Sequence, residues 1–179
     1  MIVAGVDFSL TCPAVTIGEQ EDFATCEVFY YTKVKKYVGT FNKNIHGSGH
    51  VEHEHPMERI EHLTQWAVDI IMKHQVKFLA LEGYSMGSKG RVFDLAENTG
   101  LFKWKLWRAG IPYTMPSPTT IKKEFAGKGN VGKGEMYEQF LTTTGVRLES
   151  ILDTRADKNP ISDIVDSYAV YRHALANAV

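Results

Sequence analysis

The chain has 179 residues, 44% hydrophobic and 23% charged, with a formal net charge of −1. That length suits a single domain, expected over residues 1–179, with a sizeable core. No run of 18 apolar residues occurs and the first residues are strand-like rather than basic, so neither a membrane partner nor a secretory signal is expected.

Residues 2–8 form an apolar run suited to a strand buried on both faces. Residues 13–18 and 23–31, rich in β-branched and aromatic side chains and separated by a polar turn, complete an expected antiparallel meander. Residues 34–56 are polar, glycine-bearing and His-rich, and read as a loop insertion. From 56 to 74, Met57, Ile60, Leu63, Ala67, Ile70 and Ile71 recur at helical spacing. A buried strand is expected over 76–81, a loop over 83–91, a helix over 92–109 ended by Gly110, and a short strand over 111–115. Ser117 caps a short helix through Phe125, a basic glycine-rich loop spans 127–134, and residues 135–143 are helical. Asn159 as N-cap with Pro160 at the first position opens a last helix to about 178. This order predicts an α/β fold with a mixed five-stranded sheet and helices on both faces.

Four acids stand at the ends of apolar elements: Asp7, Glu82, Asp163 and Asp166. A carboxylate in such a run must be neutral, paired or metal-bound. The crossover through helix 56–74 is expected to be right-handed. One topology then lays strand 76–82 parallel to strand 2–7, which brings Asp7 and Glu82 to neighbouring carboxyl ends, where open α/β sheets place their sites. Asp163 and Asp166, three apart, share one side of the last helix. Singly, Asp163 reads as a helix-start acid and Glu82 as a surface strand end. Together the four favour a Mg²⁺ site, with two ions roughly 3.5–4 Å apart clamping a phosphodiester.

The neutral total conceals a basic middle: between residues 101 and 133, seven lysines and arginines face one acid, Glu124. Lys122, Lys123, Lys128 and Lys133, interleaved with glycines, fit backbone approach to phosphates. The 127–134 run is not a nucleotide-binding loop, because Lys133 precedes Gly134 rather than Ser or Thr. His46, His50, His53 and His55 carry zinc-type donors but no Cys and no rigid frame, so a surface loop is the preferred reading. Trp104 and Trp107 read as core or interface packing. Tyr84 divides evenly between stacking on a base and ordinary packing. Cys12 and Cys26, the only cysteines, read as reduced residues of an intracellular protein.

The motifs Gly5-Val-Asp7, Leu81-Glu82-Gly-Tyr84 and Asp163-Ile-Val-Asp166-Ser-Tyr-Ala, together with the basic segment from Ile121 to Lys133, resemble the RuvC-type Holliday junction resolvases of the RNase H-like superfold. The resemblance implies a homodimer that resolves four-way and other branched DNA by paired nicks, in the cytoplasm, including a phage-encoded form acting in its host. It implies Asp7, Glu82, Asp163 and Asp166 as ligands of Mg²⁺, with Mn²⁺ as substitute. Lys133 is implied close to the scissile phosphate, and Lys122 and Tyr84 at the DNA, to which the glycine-interleaved basic run also assigns Lys123 and Lys128. Helix 92–109 is implied at the dimer interface. The 34–56 segment and the 83–91 loop, with Lys89 and Arg91 also assigned to DNA, depart from the family pattern. A ribonuclease H acting on RNA–DNA hybrids uses the same four acids. A silent junction-binding protein has no use for carboxylates facing phosphates. A sugar-kinase-like ATPase lacks its glycine-rich turn here, since Phe8-Ser9-Leu10 follows Asp7.

Overall fold

The computed structural model describes residues 1–84 and 92–178. Strands β1 (Val3–Asp7), β2 (Ala14–Gly18) and β3 (Glu27–Thr32) form the antiparallel meander, with Asp7 opposite Ala14 and Val15 opposite Phe29. β3 starts later than the sequence indicates. Asp22 accepts from the Ala24 backbone N–H at 2.9 Å and folds Phe23–Thr25 into a 3₁₀ turn first.

Among the described residues the sheet has seven strands rather than five, because the 34–56 segment is not simply a loop. It supplies β4 (Gly39–Phe41) and β5 (Ile45–Gly49), and β5 adds in parallel to β3 with Val28 opposite Ile45. Its glycines mimic a loop but serve packing. A Cβ on Gly47 would run into the Tyr37 carbonyl and the Tyr30 ring, and the Tyr30 hydroxyl donates to that carbonyl at 2.7 Å. The Asn44 amide, donating to the carbonyls of Phe23 and Cys26, ties the strand's entry to β3.

Helix α1 (Pro56–Lys73) carries the chain back, and β6 (Phe78–Leu81) then lies parallel to β1, with Val6 opposite Leu81. Helix α2 (Val92–Arg108) leads to β7 (Tyr113–Thr114), parallel to β6. The strand order is β4-β5-β3-β2-β1-β6-β7. Helices α3 (Pro118–Ala126), α4 (Lys133–Thr144), the unexpected short α5 (Leu148–Leu152) and α6 (Ile161–Asn177) follow. Ser117 caps α3 as expected, accepting from the Thr120 N–H at 3.1 Å. Asn159 does not cap α6: Pro160 takes that position, and Asn159 Oδ1 accepts the Ser162 hydroxyl at 2.8 Å instead.

One face of the sheet is covered by α1 and α2, through Leu63, Ala67, Ile71, Phe102 and Leu106 against Leu79 and Leu81. The other is covered by α6, with α3 and α4 behind it, through Ile164, Tyr168, Tyr171, Ile121 and Phe140. The placement of α6 depends on Gly5, where any side chain would collide with the backbone of Ser167 and Tyr171. A buried Thr16–Ser167 hydroxyl pair at 2.8 Å, and Tyr168 and Tyr171 hydroxyls donating to the carbonyls of Glu21 and Gln20, fix the helix along β2. No helix among the described residues is long and apolar enough to cross a membrane.

Candidate active site

Since β1 and β6 are parallel, Asp7 and Glu82 emerge from the same end of adjacent strands, and the Glu82 N–H donates to the Val6 carbonyl at 2.9 Å. The close approach at Gly5 brings the first turns of α6 over that end, and with them Asp163 and Asp166. Asp163 is buried; Asp7, Glu82 and Asp166 are partly exposed.

The four carboxyl groups act on one another. Burial raises Asp7 well above the ordinary carboxylate range, and Glu82, Asp166 and Asp163 push it further, with Lys133 opposing. Burial, then the neighbouring Asp166, raises Asp163 to about 7, again against Lys133. Glu82 is raised by burial and by Asp166, with Lys122 opposing, and Asp166 is raised by burial against Lys133 and Lys122. A desolvated set of like charges holds protons it would release in water.

The surrounding cations divide into two groups. Lys122, partly buried on α3, donates to the Val131 carbonyl at 3.0 Å, and Lys133, first residue of α4, donates to the Ser162 hydroxyl at 3.2 Å. Both act on the carboxylates. Lys123 and Lys128 are exposed on α3 and in the turn behind it. The Tyr84 ring, partly buried, has the Lys103 ammonium 6.0 Å from its centroid. Lys89 and Arg91 lie outside the described residues. Three neighbours escape sequence reasoning: Ser162 and Asn159, which anchor Lys133, and Cys12, whose thiol is raised by burial beside Asn159 and Asp163. Cys12 and Asn159 meet across nearly the whole chain, and no local pattern announces that contact.

Does this set suit divalent cations? Among the described residues no group of three or more His, Cys, Asp or Glu side chains could hold a metal ion as placed. The donor chemistry nevertheless fits hard oxygen-seeking ions. Asp163 Oδ2 is buried without a hydrogen-bond partner among the described residues, and the mutual repulsion among the four acids is what a cation relieves. Of the four histidines in the 34–56 segment, His46 pairs with Glu27 at 2.7 Å, His50 packs edge-to-face on Tyr31 and on His53, His53 lies 5.2 Å from the His62 ring, and His55 Nδ1 accepts from the Met57 N–H at 3.1 Å.

No family model matches the chain, and no curated protein matches it in sequence. Solved structures do match. RuvC of Thermus thermophilus superposes with a TM-score of 0.62 at 18% identity, over 96% of this chain and 91% of that one. The same protein in complex with a Holliday junction substrate gives 0.65 at 16% identity, over 96% and 90%. The Fowlpox virus resolvase, in complex with substrate Holliday junction DNA, gives 0.51 at 13% identity, over 97% and 95%. The resemblance carried by a few short motifs thus extends to the whole architecture, and the chain has the RNase H-like fold of the RuvC-type resolvases.

Proposed function

We propose that this protein is a metal-dependent endonuclease that resolves four-way DNA junctions, and other branched DNA, by paired nicks. The observation that carries this reading is the desolvated, mutually repelling set Asp7, Glu82, Asp163 and Asp166 at the carboxyl end of two parallel strands, flanked by Lys122 and Lys133. A structural role explains none of its cost. The similarity to two proteins solved with Holliday junction DNA supports the choice of substrate.

Asp7, acted on by all three other acids, and Glu82, Asp163 and Asp166 would hold Mg²⁺, or Mn²⁺ in its place. Bound cations would supply charge neutralisation at the scissile phosphate and activation of the attacking water. Lys133, held at the start of α4 by Ser162, would bind a non-bridging phosphate oxygen and offset the charge that develops on it. Lys122, tethered to the Val131 carbonyl, would orient the backbone on the Glu82 side. Lys123, Lys128, Lys89, Arg91 and Tyr84 would contact DNA beyond the reacting phosphate. In-line attack of water on phosphorus breaks the bond to O3′ and leaves 3′-hydroxyl and 5′-phosphate ends. Paired nicks need two such sites, which a homodimer through α2 would supply.

Labelled four-way junction, Y-fork, linear duplex and RNA–DNA hybrid, incubated with Mg²⁺ and wild type or Asp7→Asn, test the reading. Symmetric junction nicks by wild type only are expected. Cleavage confined to the hybrid would make the protein a ribonuclease, and junction binding with no cleavage would make it a silent binder.

A further inference from the structure

The strand ends beside Asp7 carry a second group of cations, on the flank away from Glu82. β3 runs in the same direction as β1, because each is antiparallel to β2. Asp7 lies opposite Ala14 and Ala14 opposite Tyr30, so the chain leaving β3 at Thr32 emerges at the end of the sheet that holds the four acids. Lys33, Lys35 and Lys36 follow, all exposed. β3 stands two strand spacings, roughly 10 Å, to one side of β1. Lys122 lies toward the other side, where it acts on Glu82. The strand ends thus run from cation through carboxylates to cation.

A run of lysines is ordinarily no more than solvated surface. Three observations set this one apart. No Asp or Glu occurs between Glu27 and Glu52, so the segment holds no acid of its own. Its backbone is held in place. The Val34 N–H donates to Thr32 Oγ1 at 3.1 Å, the Tyr37 N–H donates to the Val34 carbonyl at 3.0 Å, and the Tyr37 ring is buried. Lys36 Nζ donates to the Asp153 carbonyl at 3.0 Å, which docks the turn beside the loop leading into α6. Finally, among the described residues neither Lys33 nor Lys35 has a carboxylate at ion-pair distance. Arg155 and Lys158 in the neighbouring loop, by contrast, share Asp157. Lys33 also adjoins the acidic set through Cys12: that thiol, raised chiefly by burial, is raised further by Asp163 and drawn down by Lys33.

A nucleic-acid strand supplies the missing counter-charge, with one phosphate per about 3.4 Å of its length. A partner bearing carboxylates would need its own cations to pass the four acids, whereas a strand whose reacting phosphate sits at those acids reaches the lysines without a break. We propose that Lys33, Lys35 and Lys36 bind the sugar-phosphate backbone of the strand being cut, about three nucleotides from the scissile phosphate and on one flank only. The choice of substrate rests on the junction-resolving reading. With Lys133 at the reacting phosphate, the three lysines hold that strand at a second point and so orient it across Asp7.

The test compares the full chain with two triple variants of equal net charge. One is Lys33→Gln, Lys35→Gln and Lys36→Gln. The other is Lys43→Gln, Lys73→Gln and Lys77→Gln, whose lysines stand at the opposite end of the sheet, beside Val28 and Ile2. Binding of a four-way junction is measured in Ca²⁺ over a range of salt, with phosphates of the cut strand ethylated one at a time. The first variant is expected to bind about tenfold more weakly and to lower the slope of log affinity against log salt by about 2–3. The second should stay within about twofold of wild type. Ethylation about three phosphates to one side of the nick should impair wild type and the second variant but not the first. Equal losses in both variants, or sensitivity at those phosphates retained by the first, would overturn the assignment. If wild type binds no junction, the resolvase reading fails on its own. The same comparison on whichever of linear duplex, single strand or RNA–DNA hybrid it binds then decides the lysines, and binding to none of them ends the assignment too.

Discussion

Asp163 shows what the site demands of single residues. Its carboxyl group is raised from 3.8 to about 7, so the folded chain holds a proton that the unfolded chain releases. Such a group contributes stability that is fully present below about pH 4 and is lost as pH rises to about 7. Asp7, Glu82 and Asp166 are shifted in the same direction. Metal-free protein is therefore expected to melt at progressively lower temperature from pH 4 to pH 7, and Mg²⁺ at pH 8 is expected to restore the loss. Calorimetry over that window checks it, and a melting temperature that rises with pH would contradict the protonated set. Lys133→Ala should lower the cleavage rate constant by roughly 10²–10³-fold, whereas Lys123→Ala should weaken DNA binding without changing that constant. Single-turnover kinetics separates the two. The four acids were legible because each interrupts an apolar element. The anchoring of Lys133 on Ser162, 29 residues away, was not, because nothing in local pattern reports which loop lies over which helix.

Among the elements, α6 is the one whose position decides the site, and Gly5 decides α6. Gly5→Ala should cost about 3 kcal/mol or more, because the obstruction is backbone that cannot rotate away. Gly134→Ala, where open space surrounds a helical position, should instead gain up to about 1 kcal/mol. Urea unfolding of the two variants makes the comparison. Helices with a strong apolar stripe, α1 above all, were readable to within a residue or two. The pair β4 and β5 was hidden because its residues are selected for close contact rather than alternation. Gly47 sits against Tyr30, and the polar Asn44 is buried by its bonds to two carbonyls. The short α5 escaped notice because five residues do not establish a period.

At the scale of the whole molecule, α2 leaves Phe93, Trp104 and Trp107 exposed at 82%, 53% and 70%. Their spacing of 11 and 3 sets them along one stripe. A self-complementary patch of this kind suits a two-fold interface. Trp104→Glu combined with Trp107→Glu should give a monomer by sedimentation velocity and convert paired nicks into single, uncoordinated ones; a variant that still sediments as wild type would place the interface elsewhere. The opposite side of the molecule has a different exposure to manage. β3, with Val28, Phe29, Tyr30 and Tyr31, would be the last strand of the sheet if β5 did not cover it. The sheet ends instead in the three residues of β4, followed by a turn in which Asn42 and Lys43 take positive φ. A short margin of that kind is a poor template for another chain, while a bare β3 would be a good one. Residues 39–49 therefore guard against self-assembly, and replacing them with a Gly-Ser linker should yield a protein that scatters light and binds thioflavin at concentrations where the intact chain stays clear.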